Sequence, residues 1–219
     1  MQTTAAAAPP AFSAAAGPEE ALALFDRLPA VEPTEMLGRW LGGNFATGHP
    51  LDGVLETFHW YGKAFRGPDD VDPLLFRSAG GAVVPLRATL LPDPRWLERW
   101  PWLGTPAVGS MFQRLALPLW ITHHPQARLR VVEHRGVASA AMLYDHLPIV
   151  DVFRRLDAHT LLGVMDARGI SQPFFFTLRR EGGGARTPRW RHPFRRYEAA
   201  ARSLLYLEIC RFSPTFWSP

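Results

Sequence analysis

The spacing of apolar positions changes character near residue 40. Between Pro18 and Leu28 it is helical: Leu22, Phe25 and Leu28 share a face, Pro18 sits early, and Glu19 and Glu20 fill the first turn. Pro29 ends that helix. A second short turn, Pro33–Met36, leads into the Gly-x-Trp-x-Gly stretch at Gly38–Gly42, which reads as a tight turn with Trp40 as an apolar plug before the first strand. Beyond it, short apolar runs predict strands near Trp40–Phe45, Leu55–Phe65, Leu74–Arg77, Val83–Leu91, Leu117–His123, Ala127–Arg135, Val137–Asp145, Thr160–Asp166 and Pro173–Arg180. Gly, Pro, Asp or Asn marks most of the gaps. Two interruptions stand out: a helical turn over Ile149–Leu156, and a Trp- and Pro-rich insertion, Pro94–Met111, that suits a lid or an outer layer.

Many short strands with brief connections favour an antiparallel barrel or sandwich over alternating strands and helices. Several runs are apolar on both faces. Val137–Tyr144 offers Ala138, Ala140 and Met142 on one side and Val137, Ala141 and Leu143 on the other, and Phe174–Phe176 repeats the pattern. Such strands are covered twice. In a barrel one face meets the lumen, and a helix or a second subunit of a homodimer covers the other.

Composition narrows the class. An apolar content of 47% suits a packed domain, and no run approaches the length of a membrane span. Residues 1–17, rich in Ala and Pro without a basic region, read as a disordered leader. Cys210 is alone, which makes a cytoplasmic home the default expectation. The positive charge is concentrated: from Arg179 onward nine Arg face three Glu, and Gly182–Gly184 reads as a flexible joint. The expected organisation is a leader (1–17), a barrel (18–181) and a basic, aromatic tail (182–219) with a helix over Tyr197–Phe212. Arg interleaved with Trp190, Phe194 and Tyr197 could grip single-stranded nucleic acid, but aromatics docking on the barrel is the favoured reading.

Four segments together carry a family likeness: Phe25–Pro29; Gly38–Gly42; Trp60–Lys63 followed by Val71–Leu74; and Tyr144–Asp151 followed by Leu162–Asp166. The chain resembles a bacterial family known by its Gly-x-Trp-x-Gly signature, whose first part here would span 18–77 and whose companion part, of unknown function, 125–181. The resemblance implies a lipocalin-like β-barrel and little about activity. A more distant similarity is to the terpene-epoxide lyases that open α-pinene oxide. The Trp-rich insertion and the Arg-rich tail depart from the family pattern.

Lys63 is the only lysine among 24 basic residues, a compact and tunable ammonium in a chain that otherwise uses Arg. Alternation places it opposite Phe58 and Trp60, pointing out of the barrel unless Gly62 carries a bulge. Asp145, Asp151 and Asp166 are acids in apolar surroundings, and a buried carboxyl keeps its proton long enough to serve as a general acid. Capping is the better reading for Asp151, which leaves Asp145 and Asp166 as the catalytic candidates, with Tyr144 or Lys63 assisting. Trp40, Phe58, Trp60, Met142, Met165 and Phe175 are the expected ligand-binding residues. His123 and His124 are adjacent on an expected strand and so face opposite ways. Without a metal-ligand motif, a phosphate loop or a nucleophile elbow, no metal and no cofactor are expected. The expected function is enclosure of a small apolar molecule, without a membrane or nucleic-acid partner. The alternative is a cofactor-independent isomerase or lyase that opens a terpene epoxide-like substrate by general acid catalysis.

Overall fold

Antiparallel pairing runs in a closed circuit through the computed structural model of this chain, which describes residues 17–90 and 94–182. The strands are β1 (Gly38–Asn44), β2 (Trp60–Gly67), β3 (Asp70–Arg77), β4 (Val83–Pro85), β5 (Ala127–His134), β6 (Val137–Tyr144), β7 (Ile149–Arg155), β8 (Thr160–Ala167) and β9 (Phe174–Arg180). Eight of them follow the order β2-β1-β9-β8-β7-β6-β5-β3, and the pairing of β3 with β2 closes the ring. β4 lies outside it, on the edge of β3. Closure leaves no bare edge among the eight strands. The fold is therefore a mostly-β, antiparallel, lipocalin-like barrel with an N-terminal helix, α1 (Pro18–Arg27). The expected leader and tail, including the Tyr197–Phe212 helix, lie outside the described residues, save for Gly17 and Gly182.

Strands apolar on both faces are covered on both. The inner cluster gathers Trp60, Phe65, Val71, Phe76, Leu129, Met142, Phe153 and Phe176. The outer cluster sets Ala21 and Phe25 of α1 on Ala141, Val152, Leu162, Val164 and Phe175. Ala21 and Phe25 are four residues apart and so share one helical face. Arg154 of β7 lies fully buried beneath this layer, its guanidinium carbon 4.9 Å from the centre of the Phe25 ring. Its Nη2 donates to the carbonyls of His134 and Val137.

Several element boundaries differ from the sequence reading. The Gly-x-Trp-x-Gly stretch is strand β1 itself, not a turn before it. Ile149–Leu156, expected as a helical turn, is strand β7, in register with β6 and β8. Leu117–His123, expected as a strand, begins as helix Leu117–Trp120 and joins the strands through a single bridge from Ile121 to Leu86. The run Leu55–Phe65 starts as a helical turn, Val54–Thr57, and reverses at His59 (φ 63°) before β2. The insertion is helical, with turns at Pro94–Arg99 and Pro106–Met111, and a π-helical turn, Phe112–Ala116, follows it. Trp96, Trp102, Met111, Leu115 and Leu119 of this region are more than half exposed.

Candidate functional site

The site begins with glycines that let two strands touch. A Cβ on Gly42 of β1 would meet the Trp60 ring at 2.1 Å, so the last signature glycine is the seat of that indole. A Cβ on Gly62 of β2 would come 1.9 Å from the Trp40 carbonyl oxygen, and Gly62 adopts φ 139°. The register between β2 and β3 shifts on both sides of Gly62. A bulge of this kind reverses which side chains face inward. Trp60 and Lys63, three residues apart, therefore both point into the barrel. Trp40 is buried at this crossing: it is 2% exposed, and its indole N–H donates to the Met36 carbonyl at 2.7 Å.

Lys63 Nζ lies 2.8 Å from Asp151 Oδ2, and the two side chains are 3% and 2% exposed. The ammonium also donates to the Pro73 carbonyl at 3.2 Å, a residue that the β2–β3 register skips. Three aromatic rings surround it, with centroids at 5.0 Å (Phe176), 5.6 Å (Trp60) and 5.7 Å (Tyr144). Cation–π attraction adds to the ion pair when both are desolvated. Burial pushes the Asp151 carboxyl above its ordinary range, and the attraction of Lys63 offsets only part of that rise. Burial also lifts the Tyr144 phenol well above its ordinary value, with the charge of Asp151 adding to the effect.

This polar pair sits in the wall of a cavity of about 720 Å³. Leu74, Phe76, Ile149, Met165, Phe174 and Phe176 form its barrel side. Leu51, Val54, Leu55 and Phe58 line it from the segment before β2. The insertion contributes Trp96, Leu103, Val108 and Met111, and the helical turns after it contribute Phe112, Leu115, Ala116 and Trp120, so part of this region lies over the cavity as a lid. Apart from Lys63, Asp151, Tyr144 and the tryptophan indoles, the described residues that line it have apolar side chains. That balance, apolar walls with a few placed polar groups, is typical of small-molecule sites.

Of the residues singled out in the sequence, Lys63, Tyr144, Phe58, Trp60 and Met165 meet in this cavity. Asp151 joins them, and the rest lie elsewhere. Asp145 is exposed and pairs with Arg128, Nε to Oδ1 2.7 Å, because strand alternation after the inward Tyr144 turns it out. Asp166 is exposed for the same reason, next to the inward Met165. Phe175 faces outward under α1, while Phe174 and Phe176 take the lumen. Met142 is fully buried in the inner core, and Trp40 seals the crossing of β1 and β2; neither lines the cavity. The inward acid is Asp151, weighed above as a helix cap. No helix begins there, and alternation along β7 sends Ile149, Asp151 and Phe153 inward. The signal for it was the composition of the run Ile149–Phe153, an acid in an unbroken apolar stretch.

Among the described residues no helix is long and apolar enough to cross a membrane. No curated protein matches the chain. A solved structure, described as the crystal structure of a protein from Thermomonospora curvata, is 34% identical to it. That match covers 77% of this chain and 90% of the other, with a TM-score of 0.57. The model of the GXWXG protein family matches residues 23–81, and that of a domain of unknown function (DUF4334) matches 125–180. The first match spans β1 to β3 with Trp60 and Lys63, and the second spans β5 to β9 with Asp151, so the facing partners of the buried pair come one from each part. The chain belongs to the GXWXG family, with its companion domain of unknown function, and the two matched segments build one barrel.

Proposed function

We propose that the barrel binds a small, largely apolar molecule in its lumen. The observation that carries this reading is the cavity of about 720 Å³ with an almost wholly hydrocarbon lining. Burying apolar surface there supplies about 25 cal/mol per Å² before the costs of association. Trp60, Trp96 and Trp120 line the cavity, so ligand entry should change tryptophan fluorescence. Titration with terpenoids or short apolar esters should give saturable quenching, and nucleotides should give none. Tight nucleotide binding would overturn the reading, as would the absence of saturation with every apolar compound.

A second reading, a cofactor-independent isomerase or lyase, is favoured by one observation: Asp151 is a buried carboxyl with a raised hold on its proton, facing the same cavity. In this reading Asp151 takes the acid role, with Lys63 and Tyr144 beside it. A protonated Asp151 would give its proton to the ring oxygen of an epoxide as the C–O bond breaks. Loss of a proton from the neighbouring carbon would restore the acid and leave an unsaturated alcohol. The dry lining would shield the intervening cation from water. Asp151→Asn should then abolish turnover of any epoxide the protein isomerises while leaving apolar binding in place. Retained turnover would exclude Asp151 as the acid.

A further inference from the structure

The lid is apolar on a second side. From Pro106 to Trp120 it runs on in helical backbone, through Pro106–Met111, Phe112–Ala116 and Leu117–Trp120. Gly109, Gln113 and Leu117, four residues apart, are buried, and Gln113 Nε2 donates to the Phe58 carbonyl at 2.9 Å. Met111, Leu115 and Leu119 repeat that spacing two residues on, roughly half a turn around the helix, and each is more than half exposed. The side turned away from the anchoring contacts is therefore apolar as well. Trp96 and Trp100 belong to the same surface. Trp96 lines the cavity beside Met111 and Leu115, and its ring meets Trp100 edge to face with centroids 5.6 Å apart.

This patch rims the mouth of the cavity. Trp96, Met111 and Leu115 line the cavity and are also more than half exposed, so they bridge lumen and surface. Trp100, Trp102 and Leu119 do not line it, so their exposed area is outer surface. Contiguous exposed apolar side chains mark a surface that something covers. The charge around them narrows what that is. Residues 87–120 carry Arg87, Arg95, Arg99 and Arg114 against Asp93 and Glu98, and all four arginines are exposed. A second copy docked about a two-fold axis would set these arginines near their own counterparts. A protein partner held on the patch would stopper the mouth that an apolar ligand has to use. A bilayer meets both conditions. Its anionic headgroups attract arginine, indole rings settle at the headgroup level, and its interior is the phase in which apolar molecules reside.

Resting on the apolar-cavity reading above, we propose that the lid is a membrane-docking surface. Its tryptophans and the Met111–Leu115–Leu119 ridge seat in the interface of an anionic bilayer, and the cavity mouth opens onto the apolar phase. The docking is peripheral, since short helical turns can lie in the interface without spanning it. The expectation of no membrane partner rested on the lack of a span, which bears on crossing and not on docking.

The test is sedimentation of the full chain with vesicles, without added ligand. One set is phosphatidylcholine alone, and the other is phosphatidylcholine with about 30% phosphatidylserine. Two double variants accompany the parent: Trp102→Gln with Leu119→Gln, which removes exposed apolar groups outside the cavity lining, and Arg99→Gln with Arg114→Gln. The parent should bind the anionic vesicles about ten-fold or more tighter than the neutral ones. The apolar variant should lose about ten-fold or more on the anionic set, and the arginine variant should lose most of the preference for it. Both variants should keep the parent's fluorescence quenching by an apolar ester in free solution, which reports on the cavity separately. A parent that does not bind the anionic vesicles would overturn the docking with the cavity reading intact. An apolar variant that binds as tightly as the parent would overturn it too, and would assign the attraction to the Arg-rich tail. A parent dimer that the apolar variant converts to monomer would overturn it in favour of a second copy. The vesicle comparison needs no ligand, so it decides the docking even where quenching fails and the cavity reading falls.

Discussion

Replacing Gly62 by alanine should cost far more than its size suggests. The new Cβ would come 1.9 Å from the Trp40 carbonyl oxygen and 2.7 Å from the Gly42 nitrogen, both main-chain atoms that cannot rotate away. The residue also sits at φ 139°, where an L side chain is strained. Strain at such a backbone position costs about 1–3 kcal/mol, and overpacking about 1–3 kcal/mol more. Together these predict a loss of about 2–6 kcal/mol, a large fraction of the stability of an ordinary domain. Gly48→Ala isolates the backbone part: its φ is 82°, but nothing lies within 4 Å of the new Cβ. It should lose about 1 kcal/mol. Urea unfolding followed by far-UV dichroism gives both values on one scale. If Gly62→Ala loses no more than Gly48→Ala, β1 and β2 do not cross as described, and the bulge that turns Lys63 inward is wrong.

Removing the acid of the buried pair by Asp151→Ala should cost about 3–5 kcal/mol in urea unfolding, because it strands a buried ammonium, whereas Asp145→Ala breaks only a surface pair and should lose about 1 kcal/mol or less. Trp40→Ala should cost about 3–5 kcal/mol, since it empties a buried site and leaves the Met36 carbonyl without its donor; an unchanged urea midpoint would refute that role. His134 is half-buried against Phe25, and burial pushes its imidazole below the ordinary 6.5. The unfolded chain therefore takes up that proton first as pH falls. The contribution of His134 is fully present above pH 6.5 and is lost as pH falls from 6.5 toward the lowered folded-state value. His134→Gln should flatten the stability–pH curve in that window; an unchanged slope would contradict the burial argument.

The barrel was legible in the sequence because its cause is local. Turn residues punctuate short apolar runs, and runs such as Val137–Tyr144 are apolar on both sides. The helix Pro18–Arg27 was legible from its leading proline, its first-turn acids and its apolar spacing. The site was less so, because its side chains are aimed by exceptions to strand alternation. Lys63 drew attention as the single lysine, but which way it points depends on a bulge at Gly62 that only the approach of β1 makes necessary. Asp151 was hidden for the opposite reason. Ile149–Phe153 is covered on both faces, so its apolar run carries no period, and a short stretch without a period reads as a turn as easily as a strand. Phe174–Phe176 showed that a strand was covered twice without showing which ring took which face. The inner lining from the insertion and the helical turns after it was missed because nothing in the spacing of Trp96 or Trp120 says what they lie over.

The central claim is that an apolar molecule enters the lumen, and methionine methyl groups report on it directly. Met165 and Met111 line the cavity, from β8 and from the insertion, while Met36 and Met142 are buried in the core beside it and do not. With ¹³C-methyl-labelled methionine, a saturating short apolar ester should shift the Met165 and Met111 resonances and leave Met36 and Met142 in place. A shift of the exposed Met111 alone, or none at saturation, would mean that the ligand stays outside the barrel and would contradict the account.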